Sequence, residues 1–156
     1  MSDHQLSLSD VRTQVSDIRV AMLTTIDEAG TLSSRPLTVQ DIDEEGHVVF
    51  VVDKNADWVT AGVSAVNVAL SDDNIWVSIA GRLTFTDDPA LLDELWGPLT
   101  SEFFPDGKET ATVAHVAAET WEYWTSPNRF AQAFEISKSM ITGEQPDLGT
   151  SGRIDV

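Results

Sequence analysis

The stretch from Ala21 to Val52 constrains the fold more than any other part of the chain. It reads as three β-rich runs separated by two acidic turns: AMLTTI, DEAG, TLSSRPLTVQDI, DEEG and HVVFVV. Apolar and β-branched runs bounded by Asp/Gly clusters mark hairpins, so a three-strand meander is expected here. The middle run contains Arg35-Pro36. Proline has no N–H to give to a ladder, so this part of the second strand is expected at an edge or a bulge. An arginine beside it is placed to reach a ligand or a neighbouring chain.

That arginine matters because cations are scarce. The chain has 156 residues, with 9 Lys+Arg against 26 Asp+Glu and a net charge of −17. Such a surface repels nucleic acid and anionic membrane, so neither is an expected partner. A site for an anionic ligand would depend on a few local cations. Between Val20 and Phe130 these are Arg35, Lys54, Arg82, Lys108 and Arg129. The absence of cysteine excludes disulfides, thiolate catalysis and cysteine-based metal sites. The three histidines are too far apart for a local metal motif, so no metal site is expected. The N-terminus is polar and acidic, and no apolar run approaches the ~20 residues of a membrane helix. A cytoplasmic protein is the expectation.

The remaining pattern fits one domain over residues 1–140. Leu8, Val11, Val15 and Ile18 recur at helical spacing, which predicts a helix over 6–18 ahead of the meander. A short helix follows Val52. VNVALSD and IWVSIAGRLTFTD read as the fourth and fifth strands, with Gly81 interrupting the apolar face of the fifth. Asp88 fits a helix cap and Pro89 the first helical position, so a helix is predicted near 88–96. TATVAHVAAETWEYWT reads as a long last strand. Residues 141–156 are rich in Gly, Pro, Ser and Asp and are expected to be a disordered tail. All strands thus fall between 20 and 126, which suggests a mainly β domain, a small barrel or curved sheet with minor helices. The five tryptophans favour a large ligand or partner surface, or an ordinary core.

Acidic runs such as DIDEE fall at predicted turns, where Asp stabilises the backbone, so they are read as turn chemistry. No G-x-S-x-G, Walker or Rossmann motif is present. Any redox chemistry would have to come from a cofactor.

In order along the chain, MLTTIDEAGTLSSRPL, GHVVFVVD, DPALLDELWGPLTSEFFPDGK and ETWEYWTSP resemble the pyridoxamine 5′-phosphate oxidase-like superfamily, and within it the bacterial general stress proteins that bind flavin mononucleotide (FMN). The resemblance covers roughly Val20 to Pro127. It implies a split β-barrel homodimer with flavin in clefts between subunits. Arg35, with Ser34 beside it, matches the family's phosphate-binding arginine. Pro36, Leu37, Phe50, Val51 and Val52 would line the ring, with Asp53 and Lys54 following. The family continues with Thr, Ser and Lys as phosphate ligands. Here Val52, Ala56 and Trp58 stand at those positions.

Two lost phosphate donors would weaken binding by roughly 3–6 kcal/mol, on the order of a hundred- to ten-thousandfold. Lys54 could supply part of this, and Trp58 could stack on a ring. The expected function is therefore FMN binding, with weak flavin-dependent oxidoreductase activity. The alternatives are a non-catalytic dimer whose phosphate site has degenerated, or a binder of another aromatic cofactor such as a deazaflavin or haem.

Overall fold

The meander forms as β1 (Val20–Ile26), β2 (Leu32–Ile42) and β3 (Val48–Asp53). The computed structural model describes residues 5–62, 64–126 and 150–156. The other elements are α1 (Leu8–Val15), α2 (Asp57–Thr60), β4 (Ala65–Asp72), β5 (Ile75–Thr86), α3 (Pro89–Leu95), α4 (Pro98–Phe103), β6 (Ala111–Thr125) and β7 (Ser151–Asp155). The sheet order is β3-β2-β1-β4-β5-β6-β7, and β3 also pairs with β6. That pairing closes β1 to β6 into a six-stranded antiparallel barrel, and β7 is added outside it.

Period-two alternation supplies the barrel core. Ala21 and Leu23 of β1, Val48 and Phe50 of β3, Val66, Val68 and Leu70 of β4, and Ile75, Val77 and Ile79 of β5 all point inward and are buried. Trp121 and Tyr123 of β6 fill the centre, and the Trp121 indole N–H donates to the Gly46 carbonyl (3.0 Å). Helix α1 packs onto this core through Val11 and Val15. Its capping box is complete: the Asp10 N–H donates to Ser7 Oγ (3.1 Å), and the Ser7 N–H donates to the Asp10 carboxylate (3.0 Å). The helix spans Leu8–Val15 rather than 6–18, because Ser7 caps it at one end and Ser16 at the other. Asp88 caps α3 as expected, accepting from the Ala90 N–H (3.0 Å).

Gly81 marks the irregularity its position suggested. Register slips between Ala80 and Gly81, leaving Glu119 as the extra residue in β6. A Cβ at Gly81 would run into the Ala117 carbonyl and the Val116 side chain, so the bulge needs glycine.

The expected disordered tail is corrected in part. Residues 151–155 form β7, with Trp121 opposite Ile154 and Glu122 opposite Arg153. The composition concealed it, because the strand depends on a partner distant in sequence. Gly152 lets the chain approach Tyr123, whose ring Cζ would lie 2.7 Å from a Cβ there. Residues 141–149, and the segment from Asn128 to Ile141, lie outside the described residues. Among the described residues no helix is long and apolar enough to cross a membrane.

Candidate functional site

The site begins with the proline. The Val39 N–H donates to the Arg19 carbonyl (2.9 Å), so residues at odd positions along this half of β2 turn their backbone groups toward β1. Pro36 and Thr38 then turn theirs the other way. On that side β3 pairs with β2 only from Val39 onward, at Val39–Phe50, Asp41–Val49 and Ile42–Val48. The missing N–H of Pro36 therefore falls on an open edge and costs no ladder bond, as expected from the sequence. Beyond Phe50 the two strands part. Val51–Asp53 remains paired to β6 but has no strand neighbour on the β2 side among the described residues.

This parting opens a groove of about 830 Å³. Arg35 to Gln40 form one side, and Val51, Val52 and Asp53 the other. Ala56 and Trp58 come from the α2 region, and Leu99, Thr100, Phe103 and Phe104 from α4 and its end. Cavities of this size, mostly apolar with a few polar groups, suit a small organic ligand. Among the described residues Arg19 and Arg35 are the groove's cations, and Asp53 adds a carboxylate.

Of the residues singled out in the sequence, Arg35, Pro36, Leu37, Val51, Val52, Asp53 and Trp58 line this groove. Three others do not. Ser34 lies on the opposite face of β2 from Arg35 and hydrogen-bonds Thr24, because successive strand residues alternate faces. Phe50 is fully buried in the barrel core for the same reason: its inward neighbours are Val48 and Val52. Lys54 is exposed past the strand end; its backbone N–H is tied to the Thr110 carbonyl (3.0 Å), and its side chain is not part of the lining. Sequence reasoning missed Arg19, which sits one residue before β1, and the α4 residues, which reach the groove only through the tertiary fold.

The Arg35 guanidinium is held by the protein itself. Nη1 donates to the Leu23 carbonyl (3.3 Å) and to Thr25 Oγ1 (3.0 Å), and Nη2 donates to Ser33 Oγ (2.9 Å). Three of its five N–H groups are thus engaged. The Trp58 ring covers it, with Cζ 4.7 Å from the ring centroid, a cation–π contact. Partial burial lowers the Arg35 pKa from its ordinary value. Trp58 also packs at 6.3 Å from Phe85.

The walls offer aromatic and aliphatic surface, whereas the positions that the resemblance assigns to phosphate ligands carry Val52, Ala56 and Trp58, none of which offers a hydroxyl or an ammonium.

Fold and groove together define a split-barrel protein with a ligand-sized cleft at the parted strands. The pyridoxamine 5′-phosphate oxidase-like family matches residues 7–147, and the chain belongs to that family. It is similar in fold to a protein described as general stress protein 26 from Jannaschia sp. CCS1, with 22% identity, 96% of this chain and 100% of that chain covered, and a TM-score of 0.74. A Clostridium acetobutylicum protein related to general stress protein 26 has 18% identity over 76% of this chain and 87% of that one, with a TM-score of 0.67. A pyridoxamine 5′-phosphate oxidase-related, FMN-binding protein from Nostoc punctiforme PCC 73102 has 13% identity, 80% and 86% coverage, and a TM-score of 0.62. No curated protein matches the chain.

Proposed function

We propose that this protein binds the ring system of a flavin-type ligand in the groove between β2 and β3, and does so without the family's phosphate-binding set. The observation that carries this is the parting of β2 and β3. It leaves two backbone edges, unpaired among the described residues, facing an apolar slot closed by Trp58, Phe103 and Phe104. Unpaired N–H and C=O groups need partners, and a heteroaromatic ring with donors and acceptors on its rim supplies them. A bound flavin would supply any redox chemistry. The chain's own residues orient the ring and exclude water from it.

A second reading, a binding protein without catalysis, is favoured by one observation: Arg35 is already spent on Leu23, Thr25, Ser33 and Trp58. A haem ligand is disfavoured, because among the described residues the groove lining offers no His, Cys, Met or Tyr to ligate iron. A homodimer is part of the proposal. It is supported by exposed apolar side chains on the outer strand faces, among them Val20, Met22, Ile26 and the register partners Trp76 and Trp124.

The test is an absorbance spectrum of the purified protein, followed by equilibrium dialysis against riboflavin and FMN. Saturable binding of either, on the order of micromolar or weaker given the lost phosphate donors, is expected. Absence of saturable binding of both overturns the proposal.

A further inference from the structure

We propose that Arg12 and Arg19 form a second anion-recognition point at the end of the groove away from Trp58, fitted to a phosphate monoester. A ligand lying in the groove would then carry its phosphoryl group there and not at Arg35. The placement of the ligand rests on the proposed flavin-type reading; the anion point stands without it.

The first observation concerns charge. Acids outnumber Lys+Arg 26 to 9, so an unpaired guanidinium needs explaining. Among the described residues Arg82, Lys108 and Arg153 are paired with Glu119, Asp93 and Asp155. Arg12, Arg19, Arg35 and Lys54 have no such carboxylate partner among the described residues. Lys54 is exposed past the end of β3, whereas the three arginines meet β2: Arg12 at the Ile42 carbonyl, Arg19 opposite Val39, and Arg35 within the strand. Like charges placed together repel, and an anion between them reverses the sign of that interaction.

The second observation is a donor left over. Arg12, in the last turn of α1, reaches across to β2, where its Nη2 donates to the Ile42 carbonyl (3.1 Å). Its Nε is buried and has no acceptor among the described protein atoms. Buried donors of charged groups are seldom left unmatched. Arg12 borders a cavity of about 190 Å³ adjoining the groove, together with Ser16, Arg19, Gln40 and Asp41. Arg19, Val39 and Gln40 line both spaces, so the two adjoin. Two carboxylates lie nearby: Asp41 in the same lining, and Asp17 in the turn between α1 and β1. Neither is ion-paired to Arg12 or Arg19, so the pair of guanidiniums can still match a dianion. A planar fork of donors on each suits phosphate oxygens.

The third observation is separation. The Arg19 carbonyl is bonded to the Val39 N–H, and Arg35 lies four residues back along β2. At ~3.3 Å per residue the two ends are roughly 13 Å apart. An extended molecule can place its ring near Trp58 and its anion at Arg19.

The test uses the full chain and inorganic phosphate, with chloride at matched ionic strength as reference. Ligand binding to the folded state raises the thermal midpoint in proportion to occupancy. Phosphate is expected to raise Tm saturably in the wild type and in Arg35→Gln, and not in Arg12→Gln or Arg19→Gln. Arg19 is exposed, so its variant serves if Arg12→Gln misfolds. A rise that survives Arg19→Gln, or is lost only in Arg35→Gln, overturns the proposal, as does no phosphate-specific rise in the wild type. The ratio of FMN to riboflavin affinity adds a second readout. It should fall by about fivefold in Arg19→Gln and hold in Arg35→Gln. Phosphate binding without flavin binding leaves the anion point standing and removes the ring reading. Equal affinity for the two flavins with no phosphate effect does the reverse.

Discussion

The barrel has a closed wall and an open mouth, and they are built differently. In the wall, β5 pairs with β6 along its whole length, from Ile75 opposite Thr125 to Thr86 opposite Val113, while β4 covers its other side. Inward residues there, such as Val77, Ile79, Trp121 and Tyr123, are almost fully excluded from water. At the mouth, β2 and β3 share only the rungs at Val39, Asp41 and Ile42. Their remaining edges have no strand partner among the described residues, and the lining side chains, Arg35, Leu37 and Trp58 among them, are half-buried. Buried apolar area holds the fold together, whereas unpaired backbone and partly exposed aromatics are available to a ligand. Stability should therefore reside in the wall and recognition in the mouth, each changeable with little effect on the other.

The largest expected effect is Trp121→Ala. It empties the centre of the wall and strands the Gly46 carbonyl, and should cost about 3–5 kcal/mol by urea denaturation. A loss below ~1 kcal/mol would place the core elsewhere. Next is Gly81→Ala, whose Cβ meets the Ala117 carbonyl at the bulge; a cost of about 1–3 kcal/mol in the same measurement is expected. At the mouth, Trp58→Leu should reverse the pattern. Stability should change by about 1 kcal/mol or less, while the affinities of riboflavin and FMN by calorimetry both fall about fivefold as the groove loses its aromatic wall over Arg35. Unchanged affinity for both would mean that the ring does not lie at this end.

Smaller still is Ser7→Ala, which removes the α1 cap and should cost about 1 kcal/mol. The helix belongs to the wall, since the Leu6 N–H donates to the Tyr123 hydroxyl (2.7 Å). Hence Ser7→Ala should leave riboflavin affinity unaltered. The least effect is on pH dependence. The Ser7 backbone N–H, and then its hydroxyl, hold the Asp10 carboxyl below its ordinary pKa. That contribution is present above the unfolded carboxyl's pKa and is lost as pH falls through the folded value, below about pH 4. Asp10→Asn should flatten stability in that acid window and nowhere else.

The wall was legible in the sequence because local alternation determined it. The strand runs, the bulge at Gly81 and the Asp88-Pro89 cap each followed from residues near one another. The mouth was legible at Arg35-Pro36, where one imino acid fixes an edge. It was less so elsewhere. Phe50, Val51 and Val52 were grouped as ring contacts, yet alternation turns Phe50 and Val52 inward and Val51 the other way; Phe50 went wholly to the core, and Val52, nearer the strand end, reaches the groove as well. Ser34 parted from Arg35 by the same rule. Leu99, Phe103 and Phe104 arrive from α4, about sixty residues along the chain from β2. No local pattern announces such a meeting. β7 was hidden because Gly and Ser dominate its start and its partner is remote.

The proposed ring site is the parting of β2 and β3. The most direct measurement is a backbone amide NMR titration with riboflavin, which has a ring and no phosphate. Saturable shifts concentrated at Leu37, Thr38, Val51, Val52 and Trp58, with the β5–β6 wall unmoved, are the predicted result. Saturable shifts centred on the outer face around Trp76 and Trp124, or no saturable shift at all, would contradict it.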